Sequence, residues 1–235
     1  MRPIGFSTGA LAYSDFRRGI AMASEQCSVI EISALRQPEL FPMLKALDSL
    51  DLAGFSYVSI HAPSQIDPNW EAVAWEGLRE ELWRKWPIVV HPDALYDTSL
   101  WREFGSQLCI ENMDKRKPIG RTAKELDRVF AQLPEASLCF DIGHARQCDP
   151  TMTEAYLILK EFGSRLRQVH VSEVSTESKH NRLSFTSMLS FREVAHLIPE
   201  EVPLILETPV TAIEMAEEIG RVRNALPVIR QTMVA

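Results

Sequence analysis

The sequence predicts a single α/β domain over residues 1–235, built as one (β/α)8 barrel. Three observations predict it. Eight short apolar runs recur along the chain, each a plausible buried strand. The amphipathic stretches between them have about the 10–15 residues that a parallel strand–helix–strand unit needs. The later runs close on histidine or an acid, so ligand-type groups stand at the C-terminal ends of successive strands. A parallel barrel gathers all such ends on one face.

The strands are read, in order, at 4–7 (IGFS), 28–32 (SVIEI), 57–60 (YVSI), 88–90 (IVV), 108–110 (LCI), 137–140 (SLCF), 168–171 (QVHV) and 204–206 (LIL). Near-continuous apolar runs are what strands buried on both faces look like. The helices show as apolar stripes at i, i+3, i+4 and i+7. Trp75, Leu78, Leu82 and Trp86 form one in the third helical stretch and are read as helix-to-barrel packing. Leu126, Val129, Phe130 and Leu133 form a second, and Met215, Ile219, Val222 and Leu226 a third. Three T-x-x-E boxes mark helix starts after strands 5, 6 and 8: Thr122 with Glu125, Thr151 with Glu154, Thr211 with Glu214. The stretch 92–107 is short, which predicts a stunted fourth helix. No linker or repeat interrupts the series, so one barrel is expected.

A length of 235 residues suits one barrel, and 46% hydrophobic residues supply a core. The formal charge of −7 gives no general attraction to nucleic acid, although bound divalent ions would reverse the sign locally. No apolar run is long enough to cross a membrane, and MRPIGFSTGA carries no signal-peptide core. Cys27, Cys109, Cys139 and Cys148 show no CxxC spacing, and two lie inside strand runs. A cytoplasmic, disulfide-free protein is expected.

The polar strand ends carry the functional signal. They are His61, His91, Glu111, Asp141, His144, His170 and Glu207, filling strands 3 to 8 in order, with His180 in the loop after strand 7. One histidine at a strand end is ordinarily a buried side chain bonded to a carbonyl. His196, inside the helical stretch FREVAHLI, serves as the contrasting structural case. Seven such groups at one barrel mouth would cost several kcal/mol unless something neutralised them. A divalent metal does so. Mixed nitrogen and oxygen donors point to zinc first, with manganese or iron as alternatives, rather than magnesium or calcium alone.

At these positions the chain resembles a family. IHAP at 60–63, VVHPD at 89–93, IEN at 110–112, FDIGHA at 140–145, HVSE at 170–173 and LETP at 206–209 are similar to motifs of the xylose-isomerase-like TIM barrel superfamily. They look most like its endonuclease IV branch, AP endonuclease family 2. The resemblance implies that His61 and His91 hold one metal and that Glu111 bridges to a second, completed by Asp141, His170 and Glu207. It implies a third site from His144 and His180, where Ser178 stands in place of the expected aspartate and Glu177 is the nearest substitute. Glu31, ending strand 2, resembles the sugar isomerase and epimerase members instead, as a substrate-binding acid or a salt-bridged acid at the barrel rim. Lys179 and Arg182, after strand 7, are candidate phosphate-binding residues or ordinary solvated charges, and Arg36 is similarly open.

Two chemistries follow from the resemblance. The first is phosphoester hydrolysis, with two or three metals at the mouth clamping the attacking and leaving oxygens. The second is isomerisation or epimerisation of a sugar, for which Glu111, Asp141, His170 and Glu207 form a complete one-metal site, with Glu111 and Glu207 as the catalytic proton carriers. A small phosphorylated or sugar substrate is expected. DNA is not favoured, because 25 basic residues face 32 acidic ones and no basic run exists.

Overall fold

The computed structural model describes residues 2–228. Eight parallel strands close into a barrel: β1 Ile4–Ser7, β2 Val29–Ser33, β3 Tyr57–His61, β4 Ile88–Val90, β5 Leu108–Glu111, β6 Ser137–Asp141, β7 Leu166–Val171 and β8 Leu204–Leu206. Each pairs with its sequence neighbours, and β1 closes the ring on β8 through Ile4–Leu204, Gly5–Ile205 and Phe6–Leu206. The predicted strands fall on the observed ones, with the polar end residues His61, Glu111 and Asp141 drawn into the ladder.

Strand alternation divides the interior in two. Ile88, Val90, Leu108, Ile110, Leu138 and Phe140 face outward into the core between strands and helices. Their neighbours Val89, Cys109 and Cys139 face inward and form a separate small cluster. The barrel axis is otherwise lined by buried polar side chains, including Glu31, Ser59 and Gln168. Both cysteines are free thiols.

The helices explain where the local signals succeeded. Thr122 caps the helix Ala123–Gln132 by accepting from the Glu125 amide at 3.2 Å. The stunted fourth helix is a single turn, Thr98–Trp101, running into 3-10 structure. The third stretch is helical only over Glu71–Arg79. Leu82 therefore lies in a 3-10 turn and Trp86 beyond it, and both tryptophans of the stripe are half-buried against the core. Two capping boxes do not form. The helix Thr153–Phe162 starts at left-handed Met152, and the Glu154 amide is taken by Asp149, not Thr151. Glu214 accepts from Thr211 in the turn before Met215–Ala225, but Thr211 caps nothing itself. His196 is exposed on a 3-10 turn, away from the mouth.

Candidate metal centre

Strand register fixes which side chains meet. His61, Glu111 and Asp141 are the last residues of their strands, His91 and Glu207 directly follow β4 and β8, and His170 is the penultimate residue of β7. All project from the C-terminal rim. Glu111 is at their centre. Its Oε2 lies 3.1 Å from His61 Nε2 and 3.3 Å from His91 Nε2. Its Oε1 lies 3.3 Å from His144 Nδ1 and 3.6 Å from His170 Nδ1. His170 Nδ1 is also 3.6 Å from Glu207 Oε1.

The sequence FDIGHA builds the β6 side of the centre. Asp141 caps the helix Ile142–Cys148, accepting from the His144 amide at 2.6 Å through Oδ1. Asn112 clamps the two strand ends together, donating to Asp141 O and accepting from Asp141 N, each at 2.8 Å. Gly143 is required where the helix passes β7, because a Cβ there would stand 2.5 Å from Ser172 O.

Glu31 is not at the rim. It lies two residues before the end of β2, one layer down inside the barrel, and is fully buried. Its Oε2 accepts from Gln168 Nε2 at 2.6 Å and Ser59 Oγ at 3.0 Å, and stands 3.1 Å from His170 Nε2. Tyr57 extends the network by donating to Gln168 Oε1 at 2.8 Å. A proton on Nε2 directed at Glu31 would leave Nδ1, which faces Glu111 and Glu207, to bind an ion, the arrangement that orients a metal-binding imidazole.

The charges are strongly perturbed. Burial lowers the pKa of His61, but its bond to Glu111 and the charges of Glu31 and Glu111 outweigh this and hold it at about 9. His144 is likewise carried to about 10, against burial, chiefly by Asp141 and Glu111. Burial, with Glu207 and Glu111 adding, raises Asp141 to about 6. Burial lowers His180 to about 4, helped by His144. Despite burial, His170 and His91 keep Glu111 well below the usual carboxylate range.

The donor set fits a divalent ion. Ligand atoms of Glu111, Asp141, His170 and Glu207 lie within 4.8 Å of one another, as do those of His61, His91 and Glu111. Two ligands on one tetrahedral ion are roughly 3.4 Å apart, given bonds of about 2.1 Å, close to the separations around Glu111. Asp141 Oδ2 and His170 Nδ1 are buried with no hydrogen-bond partner, a state that costs free energy without a ligand.

The remaining candidates divide. His180 reaches the mouth, 3.5 Å from Glu207 Oε2, with Ser172 Oγ at 2.8 Å from its Nδ1. Ser178 turns away from it. Its hydroxyl donates to Asp114 at 2.8 Å and accepts from Gln147 at 2.8 Å, on a left-handed backbone of φ 54°. Glu177 is bonded to Ser175 and Thr176 on the outside of the loop. Neither therefore offers the third ligand anticipated beside His144 and His180. Arg182 is bound by Glu214 in the turn before the last helix and by Glu217 and Glu218 within it, so its guanidinium is engaged rather than free. Lys179 stays exposed beside His180 and Glu207.

Sequence reasoning missed Gln168, Asp114 and Lys117. Gln168 could have been found, since it is two residues from His170 on one strand and so faces the same way. Lys117 comes from the loop after β5. It bonds Asp93 at 2.8 Å and Ser64 O at 3.1 Å, and with Arg116 lines the cavity over the cluster. That cavity measures about 500 Å³.

No protein-family model matches the sequence, and no curated protein matches it either. Solved structures do. A 3-keto-D-glucoside 4-epimerase from E. coli superposes with a TM-score of 0.57 at 12% identity, over 95% of this chain and 99% of that one. A xylose isomerase-like TIM barrel protein from Mycobacterium smegmatis, in complex with magnesium, gives 0.57 at 12%, over 96% and 98%. A proposed sugar phosphate isomerase/epimerase from Anabaena variabilis gives 0.57 at 14%, over 98% and 89%. The chain therefore shares the (β/α)8 barrel fold of these proteins.

Proposed function

We propose that the protein is a metal-dependent isomerase or epimerase acting on a small hydroxy-carbonyl compound of the sugar type. The observation that carries this reading is the convergence of Glu111, Asp141, His170 and Glu207, whose ligand atoms lie within 4.8 Å of one another. This is a complete one-metal donor set with two glutamates in it. The structural relatives that process sugars support the same choice.

Glu111, Asp141, His170 and Glu207 would hold the ion, zinc, manganese or iron by their donor chemistry. When bound, a divalent ion supplies the Lewis acidity that polarises a substrate carbonyl. The two glutamates stand at β5 and after β8, with β6 and β7 between them, so they approach the mouth from different sides. Glu207, whose side chain is 16% exposed, is the more accessible, and it takes the proton from carbon. Glu111, on the other side, is the second proton carrier, and its carboxylate must first take up a proton from solvent before it can deliver one to the substrate. Glu31 keeps His170 in the binding tautomer. His144 and His180 line the cavity and hydrogen-bond the substrate hydroxyls.

A second reading is phosphoester hydrolysis of the endonuclease IV type. His61, His91 and Glu111 form a second cluster that shares Glu111 with the first, and favours it. A one-metal isomerase has no necessary use for that pair.

The test is incubation of the metal-loaded protein in D2O with a panel of ketoses and keto-sugars, read by proton NMR. The expected result is deuterium at the carbon next to the carbonyl, abolished by a chelator and in Glu207→Gln. Cleavage of a generic phosphodiester with no deuterium uptake would replace the isomerase by the hydrolase.

A further inference from the structure

Beside the metal cavity lies a second, larger groove of about 830 Å³. Leu35, Ser64 and Gln65 belong to the walls of both, so the two spaces adjoin. The groove is formed by the loops after β2, β3 and β4, and these loops are tied to one another. Gln37 Oε1 accepts from the Asp67 amide at 3.0 Å, and Tyr96 donates through its hydroxyl to Ile66 O at 3.1 Å. The Tyr96 amide donates to buried Glu71 at 2.7 Å. Lys117 pins Asp93 and Ser64 from the next loop. A groove held in this way is formed before any ligand arrives, which lowers the entropic cost of binding.

Its chemistry limits the ligand. The Arg36 guanidinium and the Gln65 amide line it and have no partner among the described residues. Tyr96, which lines the groove, is 55% exposed as a residue. Formal charge cancels: Arg36 is matched by Asp67, and Asp93 is already paired with Lys117. A phosphate or nucleotide would find no excess of cations here. A neutral polyhydroxyl group would find an aromatic face and two free polar side chains.

We propose that this groove is a subsite for the second sugar ring of a glycoside, the first ring being the one processed at the metal centre. The inference rests on the sugar isomerase reading and extends it: the substrate is a disaccharide-sized glycoside rather than a free monosaccharide. Tyr96 stacks on the second ring, and Arg36 and Gln65 bond its hydroxyls.

The test is saturation-transfer NMR and titration calorimetry on the manganese-free, zinc-loaded full chain. The probes are methyl α- and β-D-glucopyranoside against maltose, cellobiose and trehalose. At least one disaccharide is expected to bind about tenfold tighter than the methyl glucosides, the factor given by ~1.4 kcal/mol. Tyr96→Ala and Arg36→Ala should erase that advantage while leaving methyl glucoside binding unchanged, and Tyr96→Phe, which keeps the ring, should retain it. Equal affinity for one ring and two, or loss of both in Tyr96→Ala with its fold intact by circular dichroism, overturns the subsite and leaves the isomerase reading standing. No binding by any of these sugars overturns the subsite, while the isomerase reading stands or falls on deuterium uptake from the ketose panel.

Discussion

Replacing Glu111 with glutamine perturbs the centre at its hub. The substitution keeps shape and volume and removes one charge. Both carboxylate oxygens are committed: Oε2 faces His61 and His91 at 3.1 and 3.3 Å, and Oε1 faces His144 and His170 at 3.3 and 3.6 Å. One oxygen becomes an amide NH2, which cannot ligate an ion, and the other loses its charge. The residue is 1% exposed, so solvent does little to screen the loss. Breaking a buried charge pair costs about 3–5 kcal/mol, which converts to roughly two to three and a half decades of affinity. The assay is competition for zinc against a fluorescent chelator, with circular dichroism melting as the control for folding. The fold should persist, because Glu111 points into the mouth and not into the core between strands and helices. Zinc affinity within twofold of the parent would refute the reasoning.

Three further expectations follow from the same geometry. In the His61→Ala, His91→Ala double variant, deuterium exchange on a ketose should survive if the one-metal site does the chemistry, while its complete loss with Glu111, Asp141, His170 and Glu207 intact would show that the one-metal site does not suffice. In the metal-free protein His61 and His144 are held at about 9 and about 10, above the free imidazole value of 6.5. Their cations stabilise the metal-free fold fully below about pH 6.5, and that contribution is lost as pH rises through 9 to 10. Metal needs neutral imidazole, so binding at pH 7 should release protons and tighten with pH; calorimetry in buffers of different ionisation enthalpy that detects no proton release would contradict this. Ser178→Asp should lower Tm without adding a metal equivalent, because the new carboxylate would meet Asp114 where the hydroxyl now donates at 2.8 Å. A cost of about 1–3 kcal/mol at about 2–4 °C each gives a fall of several degrees, and a gain of one metal equivalent would show that Ser178 faces the site after all.

The strands were legible because burial on both faces leaves near-continuous apolar runs, and the mouth was legible because parallel strands end on one side. Asp141 and His170 could be placed together from sequence, since each stands at the C-terminal end of a run. Other features depend on tertiary contacts that leave no local mark. Glu31 reads as a rim acid because it lies near the end of the apolar run 28–32, yet the ladder continues to Ser33 and sinks it beneath the cluster. Thr151 and Thr211 carry the capping pattern, but Asp149 and a turn closed by Glu214 take their places. Ser178 sits where a ligand is anticipated, while Asp114 and Gln147 draw its side chain the other way. Lys117 and Asp93 come from loops whose sequences show no periodicity, so nothing in them announces a strut between two grooves.

The most direct test of the account is a crystal grown with manganese and measured at the manganese absorption edge. The predicted result is an anomalous peak among Glu111, Asp141, His170 and Glu207, at about 2.0–2.2 Å from each donor atom. A peak confined to His61, His91 and Glu111, or none anywhere at the barrel mouth, would contradict it.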